Sequence, residues 1–76
     1  MKSNLHNVLK ELRDEKKQTQ TELAEILHVS QKTYSNYENG KRQPNIETLI
    51  DMANYFRVSI DYLVGRYELR KEDNNT

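Results

Sequence analysis

Within residues 30–39, five polar side chains have the types and spacing to read the edges of base pairs. Gln31 and Asn36 carry amides that can pair bidentately with adenine, Lys32 can donate to the acceptors of guanine, and Ser35 can contact several bases. At about 100° per residue, Lys32, Ser35, Asn36 and Asn39 share one side of a helix, with Tyr34, Tyr37 and Glu38 opposite and Thr33 on a flank. Gln31 opens the helix, where a side chain projects forward as well as outward. No acidic residue lies on that outward side to repel phosphate. The plain alternative is that these residues are polar because they face water, which is common on any helix.

The elements around this segment favour base reading. Thr19-Gln20-Thr21-Glu22 has the capping-box pattern and predicts a helix start at that point. Leu23, Ala24 and Leu27 then give an inward face, joined by Ile26, and the helix is expected to stop near His28. Ser30 is the N-cap of the next helix, which runs to about Asn39, with Gly40 suited to the left-handed position after it and Pro44 preventing continuation. A capped helix, a short turn and a second helix form the geometry by which the second helix enters a major groove. Gln20 at the start of the earlier helix, and Asn39, Lys41 and Arg42 at the end of the later one, are candidates for phosphate contact. For Lys41 and Arg42 ordinary solubility explains the charge equally well. Glu38 lies on the apolar side, where an unpaired carboxylate would carry a desolvation cost of several kcal/mol, so a cationic partner is expected, with Arg13 the candidate.

Three more helices complete an all-α reading. Leu5, Val8, Leu9 and Leu12 recur at i, i+3, i+4 and i+7 over about residues 4–16, with Lys10, Glu11, Asp14 and Glu15 on a solvated face. Asn45 caps a helix whose inward stripe reads as Ile46, Leu49, Ile50 and Ala53, with Phe56 following. Ser59 caps a last short helix with Ile60 and Leu63, ended by Gly65. The expected organisation is a compact five-helix domain over residues 1–66 and a polar tail over 67–76 whose last six or so residues are disordered.

Composition limits what else the chain can be. With 76 residues there is room for one core, and Leu, Ile, Val and Phe supply 17 of them, just above the roughly one-fifth below which chains tend to be disordered. Cysteine is absent, so neither disulfides nor thiolate metal sites reinforce the core. No apolar run approaches the roughly 18 residues of a membrane helix, and the N-terminus lacks a signal-peptide stretch, so a soluble cytoplasmic protein is expected. Zero net charge argues against non-specific coating of nucleic acid, yet the charge is uneven. Lys32, Lys41 and Arg42 outnumber Glu38 in residues 30–42, while Glu47, Asp51 and Asp61 outnumber Arg57 in residues 43–65. No Ser-His-Asp set, metal cluster or glycine-rich phosphate loop is present, so no enzyme, cofactor or metal is expected, and His6 and His28 read as structural or solvated.

From Leu9 to Gly65 the sequence resembles the phage Cro and lambda-repressor-like (XRE-type) helix-turn-helix family of transcriptional regulators. The residues that carry the likeness are Leu12-Arg13, Thr19-Gln20 with Glu22-Leu23-Ala24, Val29-Ser30-Gln31, Tyr37 to Arg42 with Pro44, and Ser59 to Leu63. The resemblance implies a five-helix bundle whose third helix lies in the major groove of an operator, usually bound by a homodimer. It implies that Gln20 grips phosphate, that Gln31, Lys32 and Asn36 read bases, and that Arg13 and Glu38 form an interhelical salt bridge. It also implies that Thr33 and Tyr37 lie near the sugar-phosphate backbone. Two positions depart from the family: His28 stands where Gly is usual, and Tyr34 where Ile or Val is usual. Tyr34 is therefore expected at the edge of the core, because its hydroxyl needs water or a partner.

The expected function is sequence-specific regulation of transcription, with repression as the expected form. The partner would be a palindromic double-stranded DNA operator with half-sites about 34 Å apart, bound by a homodimer. Ile60, Val64, Tyr67 and Leu69 offer a seam for the dimer. The competing reading is a protein-interaction module, such as an antitoxin or anti-repressor, using the acidic stretch from Glu47 to Asp61 with Tyr55, Tyr62 and Tyr67.

Overall fold

The computed structural model describes residues 4–65, and among them five helices and no strand occur: α1 (Leu5–Glu15), α2 (Gln20–Leu27), α3 (Gln31–Glu38), α4 (Ile46–Phe56) and α5 (Ile60–Val64). The expected boundary after residue 66, the tail 67–76, and Tyr67 and Leu69 lie outside the described residues. No helix of the described residues is long and apolar enough to cross a membrane.

Local side-chain chemistry starts four of the five helices. Thr19 Oγ1 accepts from the Glu22 amide at 3.1 Å while Glu22 Oε1 accepts from the Thr19 amide at 2.8 Å, a complete capping box. Ser30, Asn45 and Ser59 accept from the amides of Thr33, Thr48 and Tyr62 at 2.8–3.0 Å, each satisfying one donor that a helix start would otherwise leave unmade. Past α3, Gly40 has φ +76 and lets the Lys41 amide close onto the Asn36 carbonyl at 3.0 Å. The start of α1 is tied to the far end of the bundle, since the Asn4 amide donates to the Val64 carbonyl at 2.9 Å.

α3 packs against both α1 and α2, and α5 packs against α1 and α4. Leu5, Leu9, Leu23, Met52 and Leu63 are among the fully buried side chains at the centre. The inward face of α4 differs from expectation. Ile46 and Ile50 are 60% and 43% exposed, whereas Met52 is fully buried with Ala53 and Phe56. Leu49, Met52, Ala53 and Phe56 form a second i, i+3, i+4, i+7 series of the same period, and that series meets the core. Ile26, expected inward, is also exposed.

Among the described residues three other than glycine have left-handed backbones: Lys17, His28 and Arg57, with φ 56–60°. His28 closes α2, its amide reaching the Glu25 carbonyl at 3.2 Å while that of Val29 reaches Ala24 at 3.0 Å. The imidazole is exposed and makes no hydrogen bond or ion pair among the described residues. His28→Gly should therefore raise stability by about 0.5 kcal/mol, the relief of the left-handed strain slightly exceeding the added freedom of the unfolded chain. The thermal midpoint would rise by about 2–4 °C. A clear fall would show that the imidazole makes a needed contact.

Candidate functional site

The outward side of α3 is presented by a turn of three residues. After the left-handed His28, Val29 is half-buried and Ser30 caps α3, where its hydroxyl also donates to Thr33 Oγ1 at 2.9 Å. Thr33 is thus partly occupied by the cap. Gln31 and Lys32 are exposed and Asn36 is half-buried, and none of these three side chains makes a hydrogen bond or ion pair among the described residues. Their donors and acceptors are left to whatever approaches from outside. Asn39, Lys41 and Arg42 are also exposed, and Asn39 Nδ2 makes one long contact, 3.4 Å, to Ser35 Oγ.

The opposite side of α3 is held by a saturated carboxylate. Glu38 Oε2 accepts from Arg13 Nε at 2.7 Å and from the Tyr34 hydroxyl at 2.6 Å. Glu38 Oε1 accepts from Arg13 Nη2 at 3.1 Å and from Gln20 Nε2 at 3.0 Å. Four donors therefore meet the roughly four lone-pair positions of one carboxylate, two of them in the parallel fork of a bidentate guanidinium. The side chain of Glu38 is only 3% exposed and that of Arg13 14%. Arg13 Nη1 continues to the Gln18 carbonyl at 2.8 Å. The Arg13–Glu38 pair thus joins α1, the loop before α2, the start of α2 and α3.

Burial alone would push the Glu38 carboxyl up, but the hydrogen bonds from Arg13, Tyr34 and Gln20 outweigh it and hold the group below its ordinary range. Hydrogen bonding to Glu38 in turn raises Arg13. A carboxyl depressed on folding contributes stability that is fully present above its unfolded value of about 4.3 and is lost as pH falls through the folded one. Stability should thus show no loss from this group between pH 7 and about 5 and decline below about 4.3. In Glu38→Gln that acid limb should flatten in urea titrations run against pH. An unchanged limb would assign it to other carboxylates.

Tyr34 is not at the core edge. It is fully buried, because its hydroxyl finds Glu38 one turn along the same helix. Burial first, and then the bond to Glu38, push that phenol well above its usual value. Tyr37 packs edge-to-face on it, centroids 6.3 Å apart, and is itself only 5% exposed. The Tyr37 hydroxyl makes no hydrogen bond among the described residues, yet no buried polar side-chain atom there lacks a partner, so the hydroxyl keeps a route to solvent. Only that tip is available to a backbone. The amide of Gln20 is likewise half committed, with one N–H on Glu38 and the other left for an outside acceptor.

Two participants carry no sequence signal. Tyr55 on α4 is half-buried, and its hydroxyl donates to Gln18 Oε1 at 2.7 Å across 37 positions of sequence. Lys16 Nζ sits 5.1 Å from the centroid of the Tyr55 ring. Tyr55 is therefore engaged by the loop before α2 rather than offered as an open interaction surface.

A helix-turn-helix family model matches residues 9–63, which contain the whole arrangement from Arg13 to Tyr55. The HTH-type transcriptional regulator ImmR of Bacillus subtilis (strain 168) is 42% identical over 65 residues, covering 86% of this chain and 51% of its own length. This chain thus spans about half of that relative. A crystal structure of a transcriptional regulator from Listeria innocua superposes with a TM-score of 0.82 at 37% identity, over 86% of this chain and 61% of that one. The solution structure of the DNA-binding domain of the P22 c2 repressor superposes with a TM-score of 0.73 at 26% identity, over 83% and 84%.

Proposed function

This chain belongs to the lambda-repressor-like helix-turn-helix family, and from that premise we propose that it is a sequence-specific DNA-binding unit of transcription control. α3 reads the major groove. The observation that carries this reading is a division of α3 into two faces. Gln31, Lys32 and Asn36 have no partners among the described residues, while Glu38 and Tyr34 behind them are fully satisfied. Such a helix meets DNA with its backbone already placed, so the ordering charged against binding is confined to the rotamers of the reading side chains.

In this reading Gln31 and Asn36 take adenine edges and Lys32 guanine acceptors. Gln20, through its remaining N–H, Thr33, the Tyr37 hydroxyl, Asn39, Lys41 and Arg42 contact the sugar-phosphate backbone and fix the register. A homodimer formed through α5 doubles these contacts on a two-fold symmetric operator with half-sites about 34 Å apart. Repression is the outcome assigned, because occupancy of a site by this bundle is sufficient for it. The likeness to a phage repressor domain supports the same choice.

Selection of bound sequences from random duplexes tests the proposal. Enrichment of a two-fold symmetric motif is expected, and a pool with no preferred sequence would overturn it. A second reading, docking of a protein partner on α4, is favoured by the exposure of Ile46 and Ile50. It would gain if the wild type bound such a partner and no DNA.

A further inference from the structure

The loop between α1 and α2 is held in a conformation its own backbone disfavours. Lys17, which is not glycine, has φ +56, a left-handed geometry that costs an L residue roughly 1 kcal/mol or more. Such a conformation persists only where its surroundings over-determine it. Local amides supply part of the restraint, Lys17 to the Asp14 carbonyl at 3.0 Å and Gln18 to the Arg13 carbonyl at 3.2 Å. Two side chains supply the rest, and both act on Gln18. Arg13 Nη1 holds its carbonyl at 2.8 Å, and the Tyr55 hydroxyl holds its side-chain oxygen at 2.7 Å.

Gln18 is two residues before Gln20, whose amide is oriented by Glu38. Arg13 serves both Glu38 and Gln18, so its loss would unmake α3 as well as the loop. The Tyr55 hydroxyl bonds to the loop alone. We infer that Tyr55 on α4 is a positioning residue for DNA binding: by clamping Gln18 it holds the loop in the one geometry that leaves the second N–H of Gln20 aimed outward at a phosphate. The inference rests on the DNA-binding reading above, and assigns part of its affinity to a helix outside the two that form the site.

Removal of the hydroxyl leaves the ring and its edge-to-face contact with Phe56, centroids 5.0 Å apart, in place. In Tyr55→Phe one of the two side-chain restraints on Gln18 is gone, so the unbound loop leaves its strained conformer more often, and binding must restore it. Affinity for the selected duplex should fall roughly three- to tenfold, the range of one neutral hydrogen bond. Gln18→Ala should show the same loss, and the two together no more than either.

The deciding measurement repeats Tyr55→Phe in a Gln20→Ala background, with thermal midpoints recorded for all four proteins. If Tyr55 acts by aiming Gln20, the effect of Tyr55→Phe disappears there. A purely structural role would lower the midpoint and weaken binding equally in both backgrounds, and would overturn the inference. Wild-type affinity in Tyr55→Phe would overturn it too. So would wild-type affinity in Gln20→Ala, since Tyr55 would then have no contact to act through. If the wild type itself selects no duplex, the DNA-binding reading falls first, and this inference with it. Selective binding by wild type and Tyr55→Phe alike removes the inference alone.

Discussion

Glu38→Ala is expected to lower folding stability by about 3–5 kcal/mol, the cost of breaking one side of a buried, hydrogen-bonded ion pair. For a chain of this size that is a fall in thermal midpoint of at least about 12 °C. The magnitude follows from what is left behind rather than from the strength of the pair. Arg13 would lose both arms of its fork, and the fully buried Tyr34 would lose the acceptor of its hydroxyl. Glu38→Gln should lose most of the same stability. It keeps the shape but turns an N–H₂ toward groups that are themselves donors. Urea unfolding of the three proteins measures this directly. A loss below about 1 kcal/mol would mean that water serves Arg13 and Tyr34 as well as the carboxylate does.

The second large effect is on binding and should leave stability almost untouched. Gln31→Ala combined with Asn36→Ala is expected to weaken binding to the selected duplex by roughly 30- to 10⁴-fold, at about 1–3 kcal/mol for each bidentate base contact. Affinity for an unrelated duplex should change little, because phosphate contacts supply most of it. Folding stability should stay within about 0.5 kcal/mol of wild type, since neither side chain has a partner among the described residues. Titration of labelled duplexes against wild type and the double variant decides it. Equal losses on both duplexes would move Gln31 and Asn36 from base reading to backbone contact.

What the sequence made legible followed the range of each physical rule. The caps at Thr19, Ser30, Asn45 and Ser59 act over three residues and can be seen in any short window. The pairing of Glu38 with Arg13 is long-range, yet it was visible because a carboxylate on an apolar helix face demands a cation. The face of α4 was harder to place, since two apolar series of one period overlap and only the packing partner chooses between them. Tyr34 had a local clue in Glu38 four positions on, but its full burial depended on Arg13 and Gln20 converging there as well. Lys17 and Arg57 take left-handed backbones without the glycine that would mark them. Tyr55 and Gln18 meet only once α4 has docked.

The saturated carboxylate also bears on how such a protein changes over generations. Three of its four donors come from Arg13 and Gln20, the fourth is Tyr34 on the inward side of α3, and none comes from Gln31, Lys32 or Asn36. The fold therefore draws nothing from the letters that face outward. On the proposed reading, a lineage can rewrite those letters, and with them the operator it prefers, without losing the interactions that hold α3 to the bundle.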